Sequence, residues 1–291
     1  MTEPTLTHEQ ISLGPVDLHV VSAGPADGEL VVLLHGFPET WYAWRDHIPR
    51  LAEAGYRVLA PDMRGYGRSA KPAGVESYAL SSLTADVAKL IRTTGSDRAR
   101  LVGHDWGGVV ATATASARPS LLDRLVVLNA PYPGHLAEQF SLGQAVRSWY
   151  VALFALPRVP EQLLSADGYR LLRSAFDDAA EGAYSAEDLR TYQTAWARPG
   201  ALRSMLHYYR AFTRHRALGA LRGREPHAAE PVRSPTTVLW GDQDRALGGG
   251  VRETFVRQVP NCRLVRYPEG SHWLHRESPG RVGADLLEAL A

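Results

Sequence analysis

The sequence predicts an α/β fold: a mostly parallel sheet with helices on both faces and a helical lid insertion. Short apolar runs alternate with longer stretches of helical periodicity, as expected where crossover helices cover both faces of a parallel sheet. One apolar run passes into a helix through a glycine-framed apex, Leu101-Val102-Gly103-His104-Asp105-Trp106-Gly107-Gly108. The alternation stops near Pro131 and resumes near Pro235, so the sheet is interrupted by a long segment without a β run.

Taken in order, strands are expected over 16–23, 30–35, 57–60, 99–104, 124–129, 236–241 and 263–267, each apolar and bounded by turn residues. Helices are expected over 41–54, 81–95, 106–117, 249–258 and 277–290. The last opens on Ser278-Pro279, with proline in a first turn where a missing N–H costs nothing. Within the interruption, 146–156, 185–196 and 202–213 read as helices, and 228–235, with two prolines, as the return linker. The division is therefore a first core part over 1–131, a helical cap over 132–230 and a second core part over 231–291. Gly248-Gly249-Gly250 lacks the strand–turn–helix setting of a phosphate loop and reads as a flexible linker. The arginines between Arg198 and Arg224 read as a solvated cap face.

Composition excludes several classes. A net charge of +1 gives no footprint for nucleic acid or an anionic membrane. Cys262 is the sole cysteine, so no internal disulfide forms, and the polar start lacks the pattern of a signal peptide. Cytoplasmic residence is the expectation. Only Lys71 and Lys89 are lysines, an arginine bias expected of a GC-rich bacterial gene.

The apex carries the chemistry. Gly-x-Asp-x-Gly over Gly103–Gly107 is the frame of a nucleophile elbow with Asp105 where serine is usual. A carboxylate is a poor nucleophile toward a carbonyl but can displace a strained or good leaving group from saturated carbon. An epoxide or alkyl halide is thus expected in place of an ester. The resulting ester on Asp105 must be cleaved by water, which calls for a histidine oriented by an acid. On such a sheet the order is nucleophile, acid, histidine, and Asp244 and His272 follow Asp105 in that order, each just past an expected strand. Asp242 is the alternative acid. The Phe37 and Trp106 backbone N–H groups are the expected oxyanion donors. His272 and His275 have no Cys or His-Glu-x-x-His companion, so no metal is expected, and no cofactor. Asp62, Arg64 and Ser69 are expected to organise a loop, and His35 to support the oxyanion turn.

His35-Gly36-Phe37-Pro38-Glu39-Thr40-Trp41, Asp62-Met63-Arg64-Gly65-Tyr66-Gly67-Arg68-Ser69, Gly103-His104-Asp105-Trp106-Gly107-Gly108 and Gly270-Ser271-His272-Trp273 together resemble epoxide hydrolases of the α/β-hydrolase fold, over the whole chain. The resemblance implies hydrolysis of an epoxide to a vicinal diol, with two cap tyrosines holding the epoxide oxygen. Tyr150, shortly before Leu156-Pro157, and Tyr209, in Tyr208-Tyr209-Arg210, match those positions. Phe37, Trp106, Tyr150 and Tyr209 are then the substrate-binding set. The implied partners are an apolar epoxide and water, with a homodimer admitted and neither nucleic acid nor membrane. Two rivals stand beside this reading. A haloalkane dehalogenase would use the same aspartate, with halide donors from Trp106 and from Trp149 or Trp196, although such enzymes often carry Asn where Phe37 stands. The fluoroacetate dehalogenases carry Arg directly after the nucleophile, where this chain has Trp106. A non-catalytic binding protein on a hydrolase scaffold is the more distant rival, and it has no need of Asp105, Asp244 and His272 together.

Overall fold

The computed structural model describes residues 4–134, 139, 141–221 and 231–291. Its centre is a sheet of β1 (Thr7–Ser12), β2 (Asp17–Ala23), β3 (Leu30–Leu34), β4 (Arg57–Pro61), β5 (Ala99–His104), β6 (Leu122–Leu128), β7 (Thr236–Gly241) and β8 (Cys262–Tyr267). The spatial order is β1-β2-β4-β3-β5-β6-β7-β8. The β1–β2 and β2–β4 pairs are antiparallel and all others parallel.

The pleat sorts side chains onto two cores. Val31, Leu33, Val102, Val126 and Leu239 face one side, packed by Ile48 and Leu51 of α1 (His47–Glu53) and Val282 and Leu286 of the C-terminal helix. Val32, Leu34, Leu101, Val127 and Val238 face the other, against α2 (Leu80–Thr93) and α3 (Trp106–Ala117). Strands buried on both faces are why the sequence shows continuous apolar runs.

β1 was not expected. Its residues are mostly exposed and polar, and backbone pairing with β2 at the sheet edge holds it, so no buried face marks it. The single helix expected over 41–54 is two elements. A 3₁₀ turn, Trp41–Trp44, is capped by Thr40, and α1 then restarts so that Pro49 lies in its first turn. A continuous helix would have needed the N–H that Pro49 lacks.

Between β6 and β7 lie α4 (Leu142–Arg147), α5 (Trp149–Ala155), α6 (Val159–Arg173), α7 (Ala186–Trp196) and α8 (Ala201–Leu221). Sequence reading missed α6 because Pro157, Pro160 and Gly168 break its pattern. Pro160 sits in the first turn, and Asp167, Gly168 and Tyr169 interrupt the helix with positive φ. Ser185 and Asp188 start α7 as a reciprocal capping box. Arg210 corrects the solvated-face expectation: its guanidinium pairs with Glu161 at 2.7 Å and reaches the Leu156 carbonyl. The glycine run is also not a linker, since Gly248 caps α9 (Gly249–Gln258) and the next two glycines form its first turn. Of the expected return linker, 228–230 lie outside the described residues, and 231–235 have no regular structure. The chain closes with α10 (Leu274–Glu277) and α11 (Pro279–Leu290). No helix of the described residues is long and apolar enough to cross a membrane.

His47 lies between sheet and helices, its Nε2 3.0 Å from the His275 carbonyl oxygen. Burial lowers its pKa from 6.5 to about 4. Between those values the unfolded chain binds the extra proton and the folded chain does not, so stability falls as pH falls through this window. The full shift corresponds to a contribution on the order of 3 kcal/mol. His47→Gln should therefore lose less stability than wild type between pH 7.5 and 4.5 in urea titrations; parallel losses would refute this assignment.

Candidate active site

The parallel strands end along one edge, and the turns after β3, β5, β7 and β8 converge there. After β5 the chain turns at Asp105, with φ 50° and ψ −120°, before entering α3. A non-glycine residue takes such a conformation only where surrounding packing enforces it. The enforcement is visible at Gly107, where a Cβ would lie 2.1 Å from the Leu34 carbonyl oxygen, so no larger residue fits between α3 and β3. After β3, a Cβ on Gly36 would lie 2.4 Å from Asp105 Cβ, and this close approach lets the Phe37 N–H donate to Asp105 Oδ1 at 2.8 Å.

His272 Nε2 stands 3.8 Å from Asp105 Oδ2, and its Nδ1 is 2.7 Å from Asp244 Oδ2. Asp244 Oδ1 accepts from the Ala246 and Leu247 N–H groups at 2.7 and 2.8 Å. Burial alone would raise the Asp244 pKa, but His272, then hydrogen bonds from Asn129 and the Leu247 N–H, hold it below its ordinary value. For His272, burial favours the neutral ring, yet the Asp244 charge and hydrogen bond, helped by Asp105, raise its pKa to about 9. Asp242 is turned elsewhere, bonded to Arg252 at 2.5 Å and to Arg266. The acid facing the histidine is Asp244.

Two cavities meet at this point. One of about 290 Å³ is lined by Phe37, Phe154, Leu164, Leu172, His272 and Trp273; the other, about 80 Å³, by Trp106, Val109, Val151 and Phe212. Asp105, Tyr150 and Tyr209 line both. Tyr209 packs edge-on against Phe37, Trp106 and Phe154, and its ring centre is 6.1 Å from that of Tyr150. Burial and then the Asp105 charge push both phenols up, so each is an O–H donor at neutral pH.

A sequence profile described as alpha/beta hydrolase fold matches residues 29–279. The chain is 40% identical over 283 residues to the AB hydrolase superfamily protein YfhM of Bacillus subtilis, covering 96% of each. It is 35% identical to mouse epoxide hydrolase 4, over 97% of this chain and 79% of that one. A Bacillus megaterium epoxide hydrolase variant, solved with its product (R)-3-[1]naphthyloxy-propane-1,2-diol, superposes with a TM-score of 0.86 at 30% identity, over 97% of this chain and 99% of that one. The chain belongs to the epoxide hydrolases of the α/β-hydrolase fold.

In this epoxide hydrolase several supporting residues escaped the sequence reading. Asn129, directly after β6 with φ 37°, donates to Asp244 Oδ2 at 2.7 Å and accepts from the Gly241 N–H at 2.9 Å. A polar residue ending an apolar strand at the catalytic edge was the available signal. Glu39, fully buried, accepts from the Tyr184 and Tyr192 hydroxyls at 3.0 Å each and lies 3.2 Å from both His275 Nε2 and His104 Nδ1. Burial opposes its charge, but His275 and His104 hold its pKa well below normal, while burial keeps His275 neutral with a pKa of about 4. His104 Nε2 donates to the His272 carbonyl at 2.9 Å. Glu39, His104 and His275 are, among the described residues, the group whose donor atoms could surround a metal ion. Hydrogen bonds from Tyr184, Tyr192 and His275 already engage the Glu39 oxygens, while His104 Nδ1 faces them without a hydrogen bond. Asp62 accepts from the Trp41 and Arg68 N–H groups, Arg64 pairs with Asp86 at 2.6 Å, and His35 Nε2 accepts from the Met63 N–H.

Removing the Asn129 amide leaves Asp244 with one donor fewer and frees the β6–β7 end. A hydrogen bond to a charged group contributes about 1.5–3 kcal/mol, so Asn129→Ala should lower kcat for an epoxide by roughly tenfold or more. Unchanged kcat in steady-state assays would show that Asp244 needs no support from β6.

Proposed function

We propose that this chain hydrolyses an apolar epoxide to a vicinal diol, without metal or cofactor, through an ester on Asp105. The observation that carries the reading is the meeting of a carboxylate and two phenols at the junction of the two cavities. Asp105 attacks a ring carbon from the side opposite the oxygen, forming a C–O bond to the carboxylate as the ring C–O bond breaks. Tyr150 and Tyr209 hold the departing oxygen, which takes a phenolic proton. His272, oriented by Asp244, then removes a proton from water as it attacks the Asp105 carboxyl carbon. The N–H groups of Phe37 and Trp106 receive the negative charge on the carboxyl oxygen. Collapse breaks the ester C–O bond, the carboxyl proton passes to the departing diol oxygen, and the proton held by His272 returns to the tyrosinate, restoring carboxylate, phenol and neutral imidazole.

The tyrosines favour this reading over dehalogenation. An epoxide oxygen stays on the product and needs a proton, whereas halide leaves without one. Phe37 offers no side-chain donor, and the Trp196 indole N–H is spent on the Pro38 carbonyl at 2.7 Å. A pure binding role leaves the His272–Asp244 pair without a purpose. The inserted segment, 132–230, is taken as a cap over a core of 1–131 and 231–291, since its helices supply both tyrosines. The unequal cavities suit an epoxide with one large and one small substituent. A cytoplasmic location, suggested by the lone cysteine, and a homodimer remain part of this proposal.

His272→Gln should leave attack on carbon intact and block ester cleavage, since only the second step needs a base. After mixing with styrene oxide and acid quench, intact-mass spectrometry should find the variant heavier by one substrate. No adduct, alongside adduct formation or turnover by wild type, would overturn this division of labour.

Replacing both Tyr150 and Tyr209 with Phe should slow formation of the ester by at least about a hundredfold, because charge develops on the epoxide oxygen only there. Single variants should lose less, as one phenol partly serves for two. Rapid-quench measurement of product under single-turnover conditions reports this, and near wild-type rates in the double variant would reduce the tyrosines to packing.

A further inference from the structure

The loop carrying Asp244 is held from outside by the cap. Its own carboxylate takes the Ala246 and Leu247 N–H groups, and Gln144 and Arg147 of α4 hold its backbone from the other side. Gln144 Oε1 accepts from the Gly248 N–H at 2.9 Å, and its Nε2 donates to the Ala246 carbonyl at 2.7 Å and to Ser148 Oγ at 2.9 Å. The Arg147 guanidinium donates to the Asp244 and Arg245 carbonyls at 3.1 and 3.2 Å. Gln144 is 4% exposed, and the Ala246 and Gly248 backbone groups it holds are half-buried. Ser148 leads directly into α5, which carries Tyr150.

We infer that Gln144 is a positioning residue that ties the turn orienting Asp244, and through it His272, to the cap helix pair bearing Tyr150. The inference rests on the epoxide reading for the step it affects, not for the contact itself. With the cap seated, the amide closes the 246–248 backbone around Asp244 Oδ1. Without it, the Gly248 N–H and Ala246 carbonyl lose their partner in a half-buried turn, and the turn is free to move. Attack by Asp105 uses no base, so this movement harms chiefly ester cleavage. Gln144 also lines the smaller cavity, and loss of a substrate contact would instead slow ester formation.

The test is Gln144→Met, nearly isosteric and without the amide, in the full chain. With styrene oxide and 1-naphthyl glycidyl ether as probes, single-turnover rapid quench should find ester decay slowed at least about tenfold and ester formation changed less than about threefold. Hydrogen–deuterium exchange should rise in 244–250 and stay unchanged in α3. Gln193→Met, which removes a bond to the Gly168 carbonyl within the cap, should alter neither half-reaction more than about twofold. Decay near the wild-type rate, or equal slowing of both steps, overturns the inference. Should Gln144→Met fail to fold, Gln144→Glu keeps the acceptor for Gly248 and loses the donor to Ala246, and the same comparison decides. If wild type forms no ester with and turns over neither epoxide, the functional reading fails, whereas unchanged exchange in 244–250 of the variant refutes the role of Gln144 independently.

Discussion

The chemistry of this molecule depends on one backbone conformation, the positive φ of Asp105 between β5 and α3. Such a conformation costs on the order of 1–3 kcal/mol and survives only in a setting that leaves no alternative. The setting is a sheet packed on both faces, with α3 pressed so closely on β3 that Gly107 cannot carry a side chain. Because β3, β6, β7 and β8 run parallel to or beside β5, their following turns arrive at the same edge. Phe37, Asn129, Asp244 and His272 are therefore brought to Asp105 by the topology, and local contacts then fix distances.

Around that turn, each buried charge is matched. Asp244 accepts from His272, Asn129 and two backbone N–H groups, and Glu39 from two tyrosines with two histidines alongside. Buried carboxylates with fewer partners would take up protons or destabilise the fold. Asp242 shows the contrast: two residues from Asp244, it pairs with Arg252 and Arg266 near the surface and plays no part in the site. The matching also joins the segment between β6 and β7 to the sheet. Tyr184 and Tyr192 reach Glu39, Trp196 reaches the Pro38 carbonyl, and Trp273, beside His272, donates to the Ala175 carbonyl.

What the sequence disclosed follows from which forces leave a periodic or spaced trace. Strands buried on two faces leave apolar runs, so β2 to β7 were visible, and β8, half-exposed at the far edge, showed through its short apolar stretch; β1, held by backbone pairing at an exposed edge, left none. The elbow leaves its glycines, and the order of Asp105, Asp244 and His272 follows from the order of strands. Choosing Asp244 over Asp242 required knowing which carboxylate turns inward, which spacing does not encode. Tyr150 and Tyr209 were named only through resemblance, since long-range cap packing brings them to Asp105. Asn129, Glu39 and Gln144 act through partners distant in sequence, the longest being Glu39 to His275. The kinked α6 was hidden because its prolines and glycine, ordinary breakers, fall where a first turn and an interruption accommodate them.

The same electrostatics orders the two chemical steps. His272 must be neutral to take a proton from water, yet in the free protein Asp244 and Asp105 together outweigh burial and favour the charged ring. That balance places a cation 3.8 Å from the Asp105 carboxylate, at the edge of a largely apolar cavity, before the ester forms. Forming the ester removes the charge of Asp105. One of the nearby anions favouring the imidazolium disappears, burial continues to act, and the ring gives up its proton more readily at the stage that needs a base. Asp244 stays ionised throughout, so the ring remains oriented by the bond at Nδ1 while its Nε2 changes role. Exchanging a charged nucleophile for a neutral ester thus prepares the base for the step that follows, with no movement of the chain required.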